Sequence, residues 1–145
     1  MTVKKILSIS VFTALIYACG HSDAQYYKDI VGSWQQHDIL ETGVILEKTF
    51  TFSPDGKFLV AAKRIEGPKT TSYQNEGTWT IEQGTLHFTI LHSTHPNIPS
   101  GYESTNKIVK ITEKEAISEN SQGKVTISYR VPNNAARSAL SSTDG

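Results

Sequence analysis

From Gly32 onward the chain alternates apolar and polar residues with a period of two, the mark of strands that bury one face. Gly32 to Asp38 reads as a first strand. Val44 to Phe52 is a second, with Val44, Leu46, Phe50 and Phe52 on one parity and Glu47, Thr49 and Thr51 on the other. Lys48 interrupts the apolar parity. Ser53-Pro54-Asp55-Gly56 is a turn, with proline where φ is fixed and glycine where φ is positive. Lys57 to Ile65 follows, and Gly67-Pro68 turns the chain into Thr70 to Glu82, which carries Tyr73, Trp79 and Ile81 on one parity. Gln83-Gly84 leads into Thr85 to His92, where Leu86, Phe88 and Ile90 share a face. Pro96, Pro99 and Gly101 break the rhythm between Ser93 and Glu103, the longest internal loop. Strands resume over Ser104 to Thr112, Ala116 to Glu119 and Lys124 to Val131, and Pro132 ends the last.

Eight strands joined by short turns, with no helical spacer, must pair antiparallel, because parallel neighbours need crossovers of roughly a dozen residues or more. With one apolar parity each they stack as a sandwich or close as an up-and-down barrel. The fold class is therefore all-β and antiparallel. Residues 32–131 form this unit, preceded by a short helical turn within 19–31 and followed by a disordered tail over 132–145.

The first residues follow a different rule. Lys4 and Lys5 precede an apolar run from Ile6 to Tyr17, broken only by Ser8, Ser10 and Thr13. The run is shorter than the roughly 20 residues of a membrane span and has the order of a secretory signal, assigned to residues 1–18. Ile16-Tyr17-Ala18-Cys19 resembles the bacterial lipobox, with Cys19 as the lipid-attachment residue and Tyr17 bulkier than the pattern prefers. A competing cleavage site lies after Ser22-Asp23-Ala24. Cys19 is the only cysteine, so no intramolecular disulfide exists. Gly20, rather than Asp, follows Cys19. By analogy with sorting in two-membrane bacteria, that allows the outer membrane, so a periplasm-facing outer-membrane lipoprotein is expected; the alternative is a soluble periplasmic protein.

Charge changes the picture by exclusion. Lys+Arg and Asp+Glu are each 14, and loss of Lys4 and Lys5 with the signal leaves 12 positive against 14 negative side chains. Nucleic-acid binders concentrate positive charge, so no nucleic-acid partner is expected.

The order of motifs resembles the lipocalins and lipocalin-like (calycin-type) bacterial lipoproteins. Asp29-Ile30-Val31-Gly32-Ser33-Trp34 after a helical turn is similar to their opening Gly-x-Trp. Lys48 to Phe58, through Ser53-Pro54-Asp55-Gly56, is similar to their second hairpin. Gly77-Thr78-Trp79-Thr80-Ile81-Glu82-Gln83-Gly84-Thr85-Leu86 repeats the idea, and Tyr129-Arg130 stands where an arginine meets the opening tryptophan. The likeness covers Asp29 to Val131. It implies an eight-stranded barrel whose closed end is plugged by Trp34 with Arg130 stacked on it; the protein is expected to be a monomer that binds a small hydrophobic ligand or an envelope partner. The chain departs from the family in lacking a disulfide and the long first loop: only Ile39 to Gly43 separates the first two strands.

Candidate chemistry is sparse. His87 and His92 are an odd number of residues apart and face opposite sides of a regular strand, and His95 sits in a loop, so no metal site is expected. No Gly-x-Ser-x-Gly elbow occurs and no triad is spaced for catalysis, so neither an enzyme nor a cofactor is expected. Tyr73, Trp79, Phe50, Phe52 and Phe88 either line a small apolar cavity or fill the barrel, and the chain's length favours filling. The 93–103 loop offers His95, Ile98 and Tyr102 for contact, with Tyr73 and Trp79 as further ligand or partner contacts. Action through the rim loops, as a periplasmic inhibitor or assembly accessory, is the alternative function.

Overall fold

The structure, a computed structural model, describes residues 21–132. The expected signal at 1–18, Cys19 and the tail beyond Pro132 lie outside the described residues. A helix, α1 (Asp23–Ile30), leads into β1 (Gly32–Ile39), β2 (Ile45–Phe52), β3 (Lys57–Glu66), β4 (Lys69–Glu82), β5 (Thr85–Ser93), β6 (Glu103–Ile111), β7 (Glu115–Asn120) and β8 (Val125–Arg130). Each strand pairs antiparallel with the next. β1 also pairs with β8, through Trp34↔Arg130 and Gln35↔Tyr129, which closes the barrel. Closure leaves no free sheet edge in the barrel.

α1 forms because Ser22 caps it: the Ser22 hydroxyl accepts a hydrogen bond from the Gln25 amide at 3.2 Å. Asp23 stands in its first turn and Lys28 in its last, each complementing the helix dipole. The helix docks across one end of the barrel. Asp23 accepts from the amides of Gln83 and Gly84, both at 2.8 Å, and so holds the tight β4–β5 turn, where Gln83 has a positive φ of 51°. The Tyr27 hydroxyl donates to the Pro54 carbonyl in the β2–β3 turn at 3.1 Å. The connections β1–β2, β3–β4, β5–β6 and β7–β8 lie at the other end, which stays open.

The core fills the closed end. Trp34, Phe52, Phe58, Trp79, Leu86, Phe88, Ile108 and Ile111 are buried there, with Ile30 of α1 beneath them. The Trp79 ring stacks on Tyr27 at 4.3 Å between centroids and meets Phe52 edge-on at 5.5 Å. Its indole N–H donates to the Lys57 carbonyl at 3.0 Å. Both Gly-x-Trp glycines are needed for close approach. A Cβ on Gly32, whose φ is +122°, would lie 2.7 Å from Arg130 Nη1, and one on Gly77 would lie 2.0 Å from the Thr89 carbonyl oxygen.

Two departures from simple alternation matter. The β4–β5 register shifts between Glu76 and Gly77, so Ile90 pairs with Gly77 and His92 with Glu76, leaving Leu91 as the extra residue. His87 and His92 therefore both face outward, contrary to the opposite-sides reading. In β8 the apolar parity also points out: Val125, Ile127 and Tyr129 are exposed, while Thr126, Ser128 and Arg130 face in. Arg130 must face inward to reach Trp34, and period two then sends its apolar neighbours to solvent.

Candidate functional site

Above the closed-end core the barrel is not filled. A cavity of about 400 Å³ is lined by Phe50, Phe58, Val60, Ala62, Phe88 and Ile90 on its apolar wall. Asn75, Ser104 and Asn106 contribute polar lining, and Leu46, Arg64 and Tyr73 stand toward the open end. The expectation of a filled interior is thereby corrected. The large aromatics gather at the end that α1 covers, and above the Phe50–Val60 pair the facing β2–β3 pair is Lys48 and Ala62, neither able to close the lumen.

Lys48 projects into this cavity. Its strand neighbours on the inward parity are Leu46 and Phe50, so barrel closure carries its amine inside with them. Burial pulls the Lys48 amine below its ordinary pKa; nearby Asp38 partly restores it and Lys124 opposes it. Asp38 Oδ2 accepts from Gln36 Nε2 at 2.6 Å, and Lys48 forms no ion pair among the described residues. The lysine that merely interrupted a pattern in the sequence is the one cation among the cavity's deeper residues. Lys63 and Arg64 stand at its rim, and Arg64 is already paired with Glu66 at 3.4 Å.

A half-buried amine that Asp38 compensates only in part lowers stability. Lys48→Met is expected to raise the unfolding free energy of the ligand-free protein by about 1 kcal/mol at neutral pH. The native amine loses its proton at a lower pH than the unfolded one. Between those two values the unfolded state binds more protons, so wild-type stability rises with pH through that window. The difference between wild type and variant should shrink accordingly in urea melts run from neutral to alkaline pH. A difference that does not change with pH would show that the amine is not desolvated.

The 93–103 loop folds back over one side of the mouth. The Thr94 amide donates to the Gln74 carbonyl and the Gly101 amide to the Ile90 carbonyl, at 2.9 and 2.7 Å. These bonds hold Ile98 against the core cluster, where it lines the cavity. His95 packs on Tyr73 with centroids 4.4 Å apart, and both line the cavity. Of the five residues expected to make contacts, the fold brings Tyr73, His95 and Ile98 together. Tyr102 lies off the cavity wall and is 48% exposed. Trp79 is corrected: it is 2% exposed, beneath the cavity in the closed-end core, because Tyr27, Phe52 and the Lys57 carbonyl hold it there.

Trp34 and Arg130 sit at the opposite end from the mouth. Trp34 donates from its indole to the Ile30 carbonyl at 2.7 Å, and the Arg130 guanidinium lies 4.1 Å from the ring centroid. Arg130 donates to the carbonyls of Val31 at 2.9 Å, Glu113 at 3.0 Å and Asp29. Two chain segments, the α1–β1 junction and the β6–β7 turn, thus converge on one guanidinium. The described residues contain no group of three or more His, Cys, Asp or Glu side chains placed to hold a metal ion.

The chain forms a closed eight-stranded meander with an N-terminal helix over its Gly-x-Trp end, and the model of the lipocalin-like domain matches residues 30–115. The chain belongs to the lipocalin-like domain family. Lipocalin-like proteins are generally binding proteins, and the fold suits small hydrophobic ligands. Among solved structures, the chain is similar to a lipocalin-like protein from Bacteroides uniformis at 15% identity and a TM-score of 0.51, over 71% of this chain and 99% of that one. It is also similar to an uncharacterized protein from Bacteroides eggerthii at 15% identity and a TM-score of 0.46, over 70% of this chain and 98% of that one. Identities this low concern the fold alone. No curated protein matches the chain.

Proposed function

We propose that this protein is an exported, lipid-anchored binding protein that takes a small hydrophobic ligand into the open half of its barrel. The observation that carries the reading is the cavity itself: about 400 Å³, walled mainly by aliphatic and aromatic side chains and open at one end. That volume falls in the lower part of the range for small-molecule sites, roughly 300–1,000 Å³.

Filling the cavity tests this. Ala62 faces the lumen beside Lys48, so Ala62→Trp adds volume to empty space rather than to packed core. It should weaken binding of the uncharged fluorophore N-phenylnaphthylamine by roughly tenfold or more while leaving the melting temperature nearly unchanged. Undiminished binding would place any ligand outside the barrel and return attention to the rim loops.

The anchor belongs to the same proposal. Cleavage after Ala24 would remove Ser22, which caps α1, and Asp23, which holds the β4–β5 turn. Cleavage before Cys19 keeps both. Asp23 is fixed at the closed end four residues after Cys19, so a lipid there holds the closed end toward the outer membrane and leaves the cavity mouth facing the periplasm. Cys19→Ser should abolish fatty-acid labelling and move the protein from the membrane to the soluble fraction. Unchanged membrane association would remove the anchor from the proposal.

A further inference from the structure

The cavity wall is asymmetric in charge. Three cationic side chains, Lys48, Lys63 and Arg64, stand on its lining, with no Asp or Glu among the lining residues. They differ in availability. Lys63 faces outward from β3 and is exposed, and Arg64 is engaged by Glu66. Lys48 lies deeper, level with Ala62 and one inward-facing pair above Phe50 and Val60. Asp38 is the carboxylate whose charge acts on Lys48, but its Oδ2 accepts from Gln36 at 2.6 Å and it forms no ion pair with Lys48. No buried side-chain nitrogen or oxygen among the described residues is left without a partner, so the Lys48 amine reaches the cavity rather than a sealed void.

We propose that the cavity binds amphiphiles bearing one anionic head, with the head paired to Lys48 and the hydrocarbon tail laid on Phe50, Val60, Phe88 and Ile90. This rests on the cavity-binding reading above and adds the ligand's charge and its orientation. A lysine held in a low-dielectric wall gains most from an anion that enters with its own apolar tail, because the pair forms where water screens it least. Lys48 offers a point charge rather than a planar fork, so a carboxylate and a phosphate monoester both suit it. The tail points toward the closed end, since Phe58 and Phe88 form the lowest lining residues and meet edge-to-face with centroids 5.2 Å apart.

The test is isothermal titration calorimetry of the protein with decanoate, decyl phosphate and decanol, which share a tail and differ in the head. At least one anion should bind roughly tenfold or more tightly than decanol, the size expected of a charge-assisted contact. The better of the two anions identifies the head group as carboxylate or phosphate. Lys48→Met should bring both anions to the decanol level while leaving decanol unchanged, and Lys48→Arg should keep the preference. Equal binding of all three probes by wild type overturns the inference and leaves a neutral-ligand cavity standing. So does a preference that survives Lys48→Met and is lost in Arg64→Met, which would move the head to the rim. Binding of none of the three overturns the cavity reading itself.

Discussion

Replacing Trp34 by alanine is expected to lower the unfolding free energy by about 3–5 kcal/mol, the range for losing a fully buried large aromatic. Trp34 is 1% exposed and lies where α1, β1 and β8 meet. Its removal empties the closed end and also orphans the Ile30 carbonyl. Arg130→Ala should cost roughly 2–3 kcal/mol, because the carbonyls of Asp29, Val31 and Glu113 lose a charged donor together. The two residues touch, at 4.1 Å between guanidinium and ring, so their effects should not add. A double-mutant cycle in urea should show coupling of about 1 kcal/mol or more. Additive losses would mean that the stacked pair contributes nothing as a pair. Neither variant should alter the charge preference of the cavity in molecules that remain folded, since the pair sits at the far end of the barrel.

The second large effect is expected at Gly77. Alanine there would place a Cβ 2.0 Å from the Thr89 carbonyl oxygen and 2.9 Å from Phe58 Cε1. The first contact is with backbone, so β4 and β5 must separate rather than a side chain swing aside. Gly77→Ala should therefore cost about 3 kcal/mol, the upper end of overpacking losses. Gly43→Ala provides the comparison: its φ of +78° is unfavourable for alanine, but a Cβ there meets nothing within 4 Å, so only about 1 kcal/mol should be lost. Urea unfolding of the two variants checks the ranking. Equal losses would show that the sheet yields easily at the bulge.

How much of this was legible beforehand follows from which interactions are local. Turn chemistry and strand alternation act between residues a few positions apart, so Ser53-Pro54-Asp55-Gly56 and Gln83-Gly84 appear as turns at the places read from sequence. The all-β antiparallel meander followed from those turns being too short for crossovers. The Trp34–Arg130 contact was accessible only through likeness to a family, because nothing local relates residues that far apart. The bulge at Leu91 was not legible: it arises where β4 and β5 must adjust to one another around Gly77, and it turned His92 outward beside His87. The inward and outward faces of β8 were not legible either, since an apolar parity predicts burial until another contact claims the opposite face.

The cavity belongs to the same group. Phe50, Phe52, Phe88 and Trp79 looked interchangeable as inward-facing aromatics, yet α1 docking on the β2–β3 and β4–β5 turns makes one end the packed core and draws Trp79 into it. The side chains at the other end, including Leu46, Tyr73 and Ile98, line the lumen without filling it. Lys48 was visible from the start as a break in an apolar parity, but its worth depends on depth, on Asp38 being held by Gln36 and on a void beside its amine. The strands, their turns and their antiparallel order could be read from residue order alone, because each depends on neighbours along the chain. Where the barrel is packed and where it is empty emerges only once the chain has closed on itself, because that is set by the volumes of side chains brought together from all eight strands and the helix.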